Sequence, residues 1–293
     1  MNLCQVSVIK SLMAEAGITF RKEYGQNFLI SPDVPERIAD ECADSADTVV
    51  LEIGPGIGCL TAELAARYRH VVAVEIDTGL IPILGKTLAE FDNVTVVNAD
   101  CMKIDLAKAI ADALGVDTLE GVKLAVCANL PYYITTPILM HLLESDLPLS
   151  SITVMIQKEV ADRLVSPPGK GDYGAITAVL GYYGDTRRLF TVPPGCFLPA
   201  PKVSSSVVRI DLPPKNPILV SDSALLMRLI HAAFEQRRKT LPNALSAGFP
   251  EIPKETLTAI IEQCGHRPDI RGERLDLVDF VSLADKIFDL KQA

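Results

Sequence analysis

Apolar residues in the first two thirds of the chain alternate between short continuous runs and longer stretches with helical spacing. A continuous apolar run is typical of a strand that is covered on both faces of a sheet. Strands of this kind that alternate with helices predict an α/β fold with a mostly parallel sheet. The five predicted strands of this region are Thr48–Ile53, Val71–Glu75, Val94–Val97, Lys123–Ala128 and Ile152–Ile156.

Helices are predicted between these strands and before the first of them. Ser31 is a favoured cap residue and Pro32 suits a first turn, so a helix is expected to begin there. The late strands Arg188–Val192 and Ser206–Leu212 have no long helix between them, which favours an antiparallel pair at one edge of the sheet. The helices are predicted at about Ser31–Ala43, Leu60–Tyr68, from after Glu75 to about Phe91, at Leu106–Leu114, from near Thr136, and at Gln157–Val165.

A small all-α domain is predicted after the proline-rich linker Pro213–Pro217. Apolar residues there recur at the spacing of one helix face. Residues 1–212 are therefore expected to form the α/β domain and residues 217–293 the helical domain. The predicted helices of the second domain are Ser223–Phe234, Lys254–Gln263 and Val278–Leu290.

Composition narrows the class of protein. The 293 residues are 48% hydrophobic, enough for a real core, and the net charge of −9 argues against non-specific binding of nucleic acid by the whole surface. A local basic face is still compatible with that charge. The seven cysteines lack zinc spacing, so we expect reduced thiols and no metal site. We find neither a signal peptide pattern nor an apolar stretch of about 20 residues, and expect a cytoplasmic protein.

A glycine-rich turn, Glu52–Gly58, follows the first strand of the predicted sheet. Glycines between a strand and a helix allow a tight turn and a close approach of backbone to a ligand. The G-x-G-x-G spacing differs from the G-x-G-x-x-G of dinucleotide sites, which favours S-adenosylmethionine (SAM) as the ligand. A turn without a ligand is the alternative.

Two acidic residues follow the next two strands. Glu75 ends the second strand and can accept hydrogen bonds from both hydroxyls of a ribose. Asp100 follows the third strand and suits a bond to the adenine amine of the cofactor. Strand ends at one edge of an open α/β sheet are where ligands bind, although each residue alone is also compatible with an ordinary strand end or turn.

The segment Asn129-Leu130-Pro131-Tyr132 ends the fourth strand. The Asn129 side-chain oxygen and a neighbouring carbonyl can hold an amine in line with a donor methyl, while Tyr132 offers a ring for a base to stack on. Phe197, in a proline-held segment, is predicted to cover the other face of a flipped base, or else to anchor its loop. Residues 25–29 (GQNFL) are predicted to close over the cofactor, or to be a simple turn.

Together these motifs resemble the KsgA/RsmA family of small-subunit ribosomal RNA adenine dimethyltransferases. The resemblance covers nearly the whole chain: GQNFL at 25–29, EIGPGIG at 52–58, NLPYYI at 129–134, QKEVADR at 157–163, FLPAPKVSSSV at 197–207 and FEQRRKTL at 234–241 follow in the family's order. It implies a class I SAM-dependent methyltransferase fold, Rossmann-like with a mostly parallel seven-stranded sheet, and a small all-α C-terminal domain.

The resemblance also implies a reaction and its residues. Two adjacent adenosines in a hairpin loop near the 3′ end of small-subunit (16S) rRNA would become N6,N6-dimethyladenosine during ribosome biogenesis. Four SAM molecules would be used and S-adenosylhomocysteine released. The implied cofactor residues are Asn27, Leu29, Gly54, Gly56, Glu75, Asp100 and Asn129, and the implied target-base residues are Asn129, Leu130, Pro131, Tyr132 and Phe197.

The partner is then expected to be rRNA in the immature small subunit, bound by a monomer through a basic patch with the Arg237–Lys239 run as its strongest part. The chain departs from the family pattern at Tyr24, Ser204 and Pro242, and is acidic overall. The candidate RNA-binding cations are Arg21, Lys22, Arg163, Lys170, Arg187, Arg188, Arg237, Arg238 and Lys239.

Three rival functions remain open from the sequence. A related resistance methylase of large-subunit rRNA typically carries Ile at the position of Leu130. A non-catalytic assembly factor would not need the complete set from Asn129 to Tyr132. A small-molecule methyltransferase would explain the acidity, but not Phe197 or the basic run.

Overall fold

The computed structural model describes residues 1–21, 25–214 and 218–292, and it divides into two compact units. The first unit is Met1–Ala161 with Arg187–Pro214, and the second is Asp162–Thr186 with Lys215–Ala293. The second unit therefore differs from the predicted helical domain by the inserted segment Asp162–Thr186. That segment contains a strongly apolar helix, which needs the cover of the other helices of its unit.

The first unit is built on a seven-stranded sheet in the order β4-β3-β2-β5-β6-β9-β7 and a separate two-stranded sheet of β1 and β8. The pairs β3–β4, β2–β3, β2–β5 and β5–β6 are parallel, as the sequence predicts, and β9 is antiparallel to β6. The strands are β1 (Phe28–Leu29), β2 (Val49–Ile53), β3 (His70–Glu75), β4 (Val94–Asn98), β5 (Leu124–Asn129), β6 (Leu149–Gln157), β7 (Asp185–Val192), β8 (Phe197–Leu198) and β9 (Ser205–Asp211).

The helices that cover this sheet lie between its strands. Every residue of β2 is buried, which explains its continuous apolar sequence. The first covering helix starts at Asp33, after Pro32, and Ser31 is not its cap. The helices are α1 (Val6–Glu15), α2 (Asp33–Asp40), α3 (Cys59–Ala65), α4 (Ile81–Thr87), α5 (Leu106–Leu114), α6 (Thr135–Leu143) and α7 (Lys158–Leu164), the last of which runs into the second unit.

The second unit contains five further helices. Asp222 caps α9 by accepting a hydrogen bond from the backbone nitrogen of Leu225 at 3.0 Å. The helix α10 was not predicted; in the structure Pro242 lies in its first turn, where a missing N–H costs nothing. The helices are α8 (Ala175–Tyr183), α9 (Ser223–Glu235), α10 (Leu241–Gly248), α11 (Lys254–Gln263) and α12 (Leu277–Gln292).

Across the described ranges, we find no helix with both the length and the apolar content that crossing a membrane requires. Nor do the described residues contain a group of three or more His, Cys, Asp or Glu side chains arranged to hold a metal ion.

Candidate functional site

A pocket opens in the first unit where β2, β3 and β5 end. Counted together with the open solvent at its mouth, it has a volume of about 720 Å³. Its wall combines the glycine-rich turn, the end of β3, the end of β5 and the segment 25–29. The lining residues are Gly25, Gln26, Asn27, Phe28, Leu29, Glu52, Gly54, Pro55, Gly56, Ile57, Cys59, Leu60, Glu75, Ile76, Leu80, Asn129 and Pro131.

All three glycines of the turn have a left-handed backbone, which explains why the sequence needs glycine there, and two of them line the pocket. Gly54 has φ +70°, and a Cβ built on it would meet nothing within 4 Å, so its backbone borders open space at the pocket wall. Gly56 has φ +61°, and a Cβ there would lie 3.1 Å from the ring of Phe28. The turn is thus shaped for close approach of a ligand on one side and for packing on the other.

Glu75 joins the end of β3 to the glycine-rich turn. Its Oε2 accepts a hydrogen bond from Gly56 N at 3.2 Å, and its Oε1 accepts one from Asp77 N at 2.8 Å. Burial raises the pKa of this carboxyl above its ordinary value, while the two backbone bonds act in the opposite direction. Both oxygens keep further lone pairs, so the residue can still accept bonds from two neutral hydroxyls.

A second buried carboxyl lies in the same wall. Glu52, in β2, is 1% exposed and lines the pocket. Its Oε2 has no hydrogen-bond partner among the residues that the structure describes. Burial raises its pKa to about 8, a side-chain hydrogen bond with the buried Thr61 hydroxyl acts in the opposite direction, and the nearby Glu75 adds to the rise. Such an atom is unusual, because buried polar atoms are nearly always satisfied.

The segment over the pocket is held by a polar network around Asp77, which is 1% exposed. Gln26 donates from Nε2 to Asp77 Oδ2 at 2.8 Å, and its Oε1 accepts from Arg21 N at 2.8 Å. The Arg21 guanidinium lies 2.9 Å from Asp77 Oδ1. These bonds hold Gly25–Leu29 as one wall of the pocket, and its closure over a cofactor stays a prediction.

Asn129 ends β5 and lies at the same opening, next to the segment 25–29. Its Nδ2 lies 3.4 Å from the carbonyl oxygen of Asn27, and both residues line the pocket together with Pro131. The Pro131 carbonyl accepts a bond from Thr135 Oγ1 at 3.2 Å, in the first turn of α6. The structure thus places the predicted amine-holding residue next to predicted cofactor residues.

The remaining residues of that motif have different surroundings. Leu130 is buried, and its backbone nitrogen donates to Met155 O at 3.1 Å, so its side chain belongs to the core. Tyr132 is half-buried, with its hydroxyl 2.7 Å from Ser205 Oγ. Tyr133, which the sequence analysis did not single out, is 64% exposed. A Cβ on the pocket residue Gly25 would lie 3.6 Å from the Tyr133 ring, so this aromatic stands at the mouth.

Phe197 and Asp100 do not line the pocket. Phe197 is 2% exposed and pairs with Leu29 in the β1–β8 sheet, as in the alternative of a hydrophobic anchor. Asp100 lies just beyond β4, where Oδ1 accepts from Met102 N and Oδ2 lies 3.2 Å from Lys103 Nζ. The hydrogen bond from the backbone nitrogen of Met102 is the largest cause of a lowered Asp100 pKa, and Lys103 lowers it further. Their functional roles remain predictions.

The predicted RNA-binding cations differ in their partners. In the first unit, Arg21 is paired with Asp77, and Arg187 lies 3.6 Å from Asp211. Lys22 lies outside the described residues. In the second unit, Arg237 donates to the carbonyls of Gly171 and Tyr173 at 3.0 and 3.1 Å.

Arg237, Arg238 and Lys239 are all exposed, and Arg237 differs in that two backbone carbonyls already engage its guanidinium. The other predicted cations are Arg163 and Lys170 in the second unit and Arg188 in β7.

Sequence reasoning missed several wall residues. Most are apolar, and nothing in an apolar residue of a strand or helix distinguishes a pocket wall from a core. Glu52 carried a signal, because a carboxyl inside a continuous apolar strand predicts a buried charge. The lining residues not predicted as cofactor ligands include Gln26, Phe28, Glu52, Ile57, Cys59, Leu60, Ile76 and Leu80.

Comparison with known proteins identifies the family. The sequence profile of the ribosomal RNA adenine dimethylases matches residues 17–282. The chain belongs to this family. Ribosomal RNA small subunit methyltransferase A of Lachnoclostridium phytofermentans is 49% identical over 271 residues, 92% of this chain and 91% of that protein. The enzyme of the same name from Streptococcus pneumoniae is 44% identical over 289 residues, 98% of each chain.

Solved structures support the fold of this family member. A dimethyladenosine transferase from Plasmodium falciparum superimposes with a TM-score of 0.75 at 22% identity, over 90% of this chain and 98% of that one. The 23S rRNA methyltransferase ErmE superimposes with a TM-score of 0.66 at 25% identity, over 89% and 100%. The class I methyltransferase fold predicted from the motifs is confirmed.

Proposed function

We propose that this protein transfers methyl groups from SAM to the N6 amines of two adjacent adenosines, in a hairpin loop near the 3′ end of small-subunit rRNA. The observation that carries the proposal is one pocket that holds both Glu75 and Asn129 in a chain of the adenine dimethylase family. A cofactor-binding carboxylate and an amine-holding amide in the same cavity are what such a transfer requires.

The pocket wall fits SAM. Gly54 offers exposed backbone, Glu75 offers two acceptor oxygens for the ribose, and Glu52 adds a second buried carboxyl to the wall. Asn27 and Leu29 cover the same cavity from the other side. Bound SAM supplies an electrophilic methyl on a sulfonium, and the protein's part is alignment and charge placement.

The base side lies at the end of β5. Asn129 and the carbonyl that follows it accept the two N–H bonds of the amine and direct its lone pair at the donor methyl. Tyr132 offers a half-buried ring whose hydroxyl is fixed by Ser205, and Tyr133 offers an exposed ring at the mouth. Aromatic faces of this kind bind unstacked bases.

Docking of the rRNA uses exposed cations, with Arg238 and Lys239 of the second unit foremost. Phosphate contacts there position a structured RNA without reading its sequence. The protein acts as a monomer in the cytoplasm, on the immature small subunit.

Small-subunit rather than large-subunit rRNA is the preferred substrate. The relatives at 49% and 44% identity are named small subunit methyltransferases, whereas the 23S rRNA methyltransferase is 25% identical. Leu130 in the motif also favours this assignment.

The test is mass spectrometry of rRNA after incubation of immature small subunits, and separately of large subunits, with the protein and isotopically labelled SAM. Two adjacent labelled dimethyladenosines in the small-subunit RNA are expected. Label in the large-subunit RNA would favour the rival methylase. SAM binding without any labelled RNA would favour an assembly factor.

A further inference from the structure

Asp77 joins two parts of the pocket wall that are far apart in the sequence. Its side chain is 1% exposed, and the residue follows the end of β3 by two positions. Its backbone nitrogen donates to Glu75 Oε1 at 2.8 Å, while its carboxylate accepts a hydrogen bond from Gln26 Nε2 at 2.8 Å. One buried residue therefore contacts both the predicted ribose-binding carboxyl and the segment Gly25–Leu29.

Arg21 adds a second bond to the same carboxylate. Its guanidinium, which is 39% exposed, donates from Nη1 to Asp77 Oδ1 at 2.9 Å, and its backbone nitrogen donates to Gln26 Oε1 at 2.8 Å. Arg21 and Asp77 are 56 residues apart in the sequence, so their ion pair fastens the chain that precedes Gly25–Leu29 to the end of β3.

Gly79 leaves the space that Arg21 needs. Its backbone nitrogen donates to Asp77 Oδ1 at 2.9 Å, and a Cβ built on it would lie 3.9 Å from Arg21 Nη2. The same Cβ would lie 3.1 Å from Ile18 and 3.2 Å from Asp77 Oδ1. The turn after β3 is therefore shaped to receive side chains from the N-terminal part of the chain.

Charge also connects Arg21 with Glu75. Burial is the largest cause of the raised pKa of Glu75, and the nearby Asp77 raises this pKa further. A guanidinium bound to Asp77 offsets part of that negative charge. It therefore favours the ionised form of Glu75, which accepts stronger hydrogen bonds from ligand hydroxyls than the neutral acid does.

We propose that Arg21 and Asp77 are positioning residues of the cofactor pocket, and that Arg21 acts through Asp77 rather than on RNA. The inference rests on the proposed function, because it takes SAM as the ligand and rRNA as the substrate. Among the residues that the structure describes, neither of the two lines the pocket. They set the fraction of molecules whose pocket wall is in place, and the apparent dissociation constant for SAM rises as that fraction falls.

Two constants separate a role in the pocket from a role on RNA. Calorimetry without RNA gives the dissociation constant for SAM, and methylation assays at saturating SAM give kcat and the KM for immature small subunits. Arg21→Ala should weaken SAM binding about two- to fivefold, the range of a partly exposed ion pair. The KM for the subunits and kcat at saturating SAM should stay at the wild-type values.

Asp77→Asn should weaken SAM binding more, about tenfold, because it disturbs the bonds to Arg21, Gln26 and Gly79 together. Once Asp77 is changed, the added substitution Arg21→Ala should weaken SAM binding less than it does in the wild type, since residues that act through one bond are not additive. If Asp77→Asn fails to fold, Arg21→Ala alone still decides the question through its two constants.

Arg67→Ala is the matched control. Arg67 is also a partly exposed arginine of the first unit, and it pairs with Asp40 at 2.7 Å. Its substitution should lower the melting temperature about as much as Arg21→Ala does and should leave the dissociation constant for SAM unchanged.

Three results would overturn the inference: an unchanged dissociation constant for SAM in Arg21→Ala, a raised KM for the subunits in that variant, or full additivity of Arg21→Ala and Asp77→Asn. Any of these, in a protein whose wild type dimethylates small-subunit rRNA, would leave the proposed function intact. Failure of the wild type to bind SAM would remove both.

Discussion

Glu75, at the end of β3, accepts a hydrogen bond at 3.2 Å from the backbone nitrogen of Gly56, in the turn that follows β2. One carboxylate therefore fixes the shape of the glycine-rich turn while its free lone pairs face the pocket that the turn borders. Substitution of this residue should affect the cofactor more than the fold, because the strand that carries it is held by β2 and β4 on either side.

Glu75→Ala is expected to weaken SAM binding by about 1–3 kcal/mol, the scale of a lost charged hydrogen bond. Calorimetry or equilibrium dialysis measures the dissociation constant. Glu90→Ala, at an exposed position, is the control and should leave that constant unchanged. Equal constants for wild type and Glu75→Ala would contradict the ribose assignment.

Gly54→Ala should mainly weaken SAM binding, whereas Gly56→Ala should mainly lower the stability of the fold. Both glycines have positive φ, so each alanine costs about 1–2 kcal/mol of backbone strain. At Gly56 the new methyl also meets the Phe28 ring at 3.1 Å, so thermal unfolding should show the larger loss of stability there. At Gly54 the methyl enters open space at the pocket wall, and loss of SAM affinity should dominate. A larger unfolding effect at Gly54 would contradict this account.

Asn129→Ala should reduce methyl transfer by about a hundredfold or more, since misplacement of a reacting group by about 1 Å has that effect. The side chain is at a strand end and makes one long bond, to Asn27 O at 3.4 Å, so the melting temperature should change little. Single-turnover assays on immature small subunits measure the rate. Normal turnover would refute the role of Asn129.

The residues of the basic run Arg237–Lys239 should have different roles: Arg237 stabilises the second unit, whereas Arg238 and Lys239 bind RNA. Arg237→Ala should lower the stability of the protein, because its guanidinium holds the carbonyls of Gly171 and Tyr173. The double variant Arg238→Ala, Lys239→Ala should leave the melting temperature unchanged and weaken RNA binding, with a reduced salt dependence. RNA binding that is unaffected by the double variant would place the docking surface elsewhere.

Glu52 should make the ligand-free protein less stable as pH rises. Its pKa is raised from an ordinary 4.5 to about 8, so the stability that its neutral form gives is fully present below pH 4.5 and is lost as pH rises through 8. Thermal unfolding should be compared for the wild type and Glu52→Gln at pH values between 4.5 and 8. The melting temperature of the variant should exceed that of the wild type by a difference that grows with pH. A difference in melting temperature that does not change with pH would mean that the carboxyl titrates normally.

Periodicity alone sufficed to place the parallel strands. The strands β2, β3 and β5 are buried along almost their whole length, and continuous burial leaves a clear trace in the sequence; β4 is only half-buried but keeps an apolar run. The carboxyl ends of parallel strands meet at one edge of a sheet, so the sequence predicts that Gly54, Glu75 and Asn129 lie close together. The structure places all three in one pocket.

Other features depend on contacts that no local pattern encodes. The apolar helix α8 clusters with helices far along the chain, so the compact units do not follow the linker Pro213–Pro217. The sequence predicts that Phe197 projects from its segment. In the structure the pairing of β8 with β1 buries this side chain. The burial of the Glu52 carboxyl beside the pocket likewise becomes visible only when its neighbours are in place.

The short ladder between β1 and β8 has a consequence of its own. Phe28 pairs with Leu198 and Leu29 with Phe197, so the segment Gly25–Leu29 that lines the pocket and the proline-held segment that contains β8 are joined by backbone pairing. A disturbance at either segment is transmitted to the other through four residues. Mutations at 197–198 should therefore be read first as changes in how the cavity is closed.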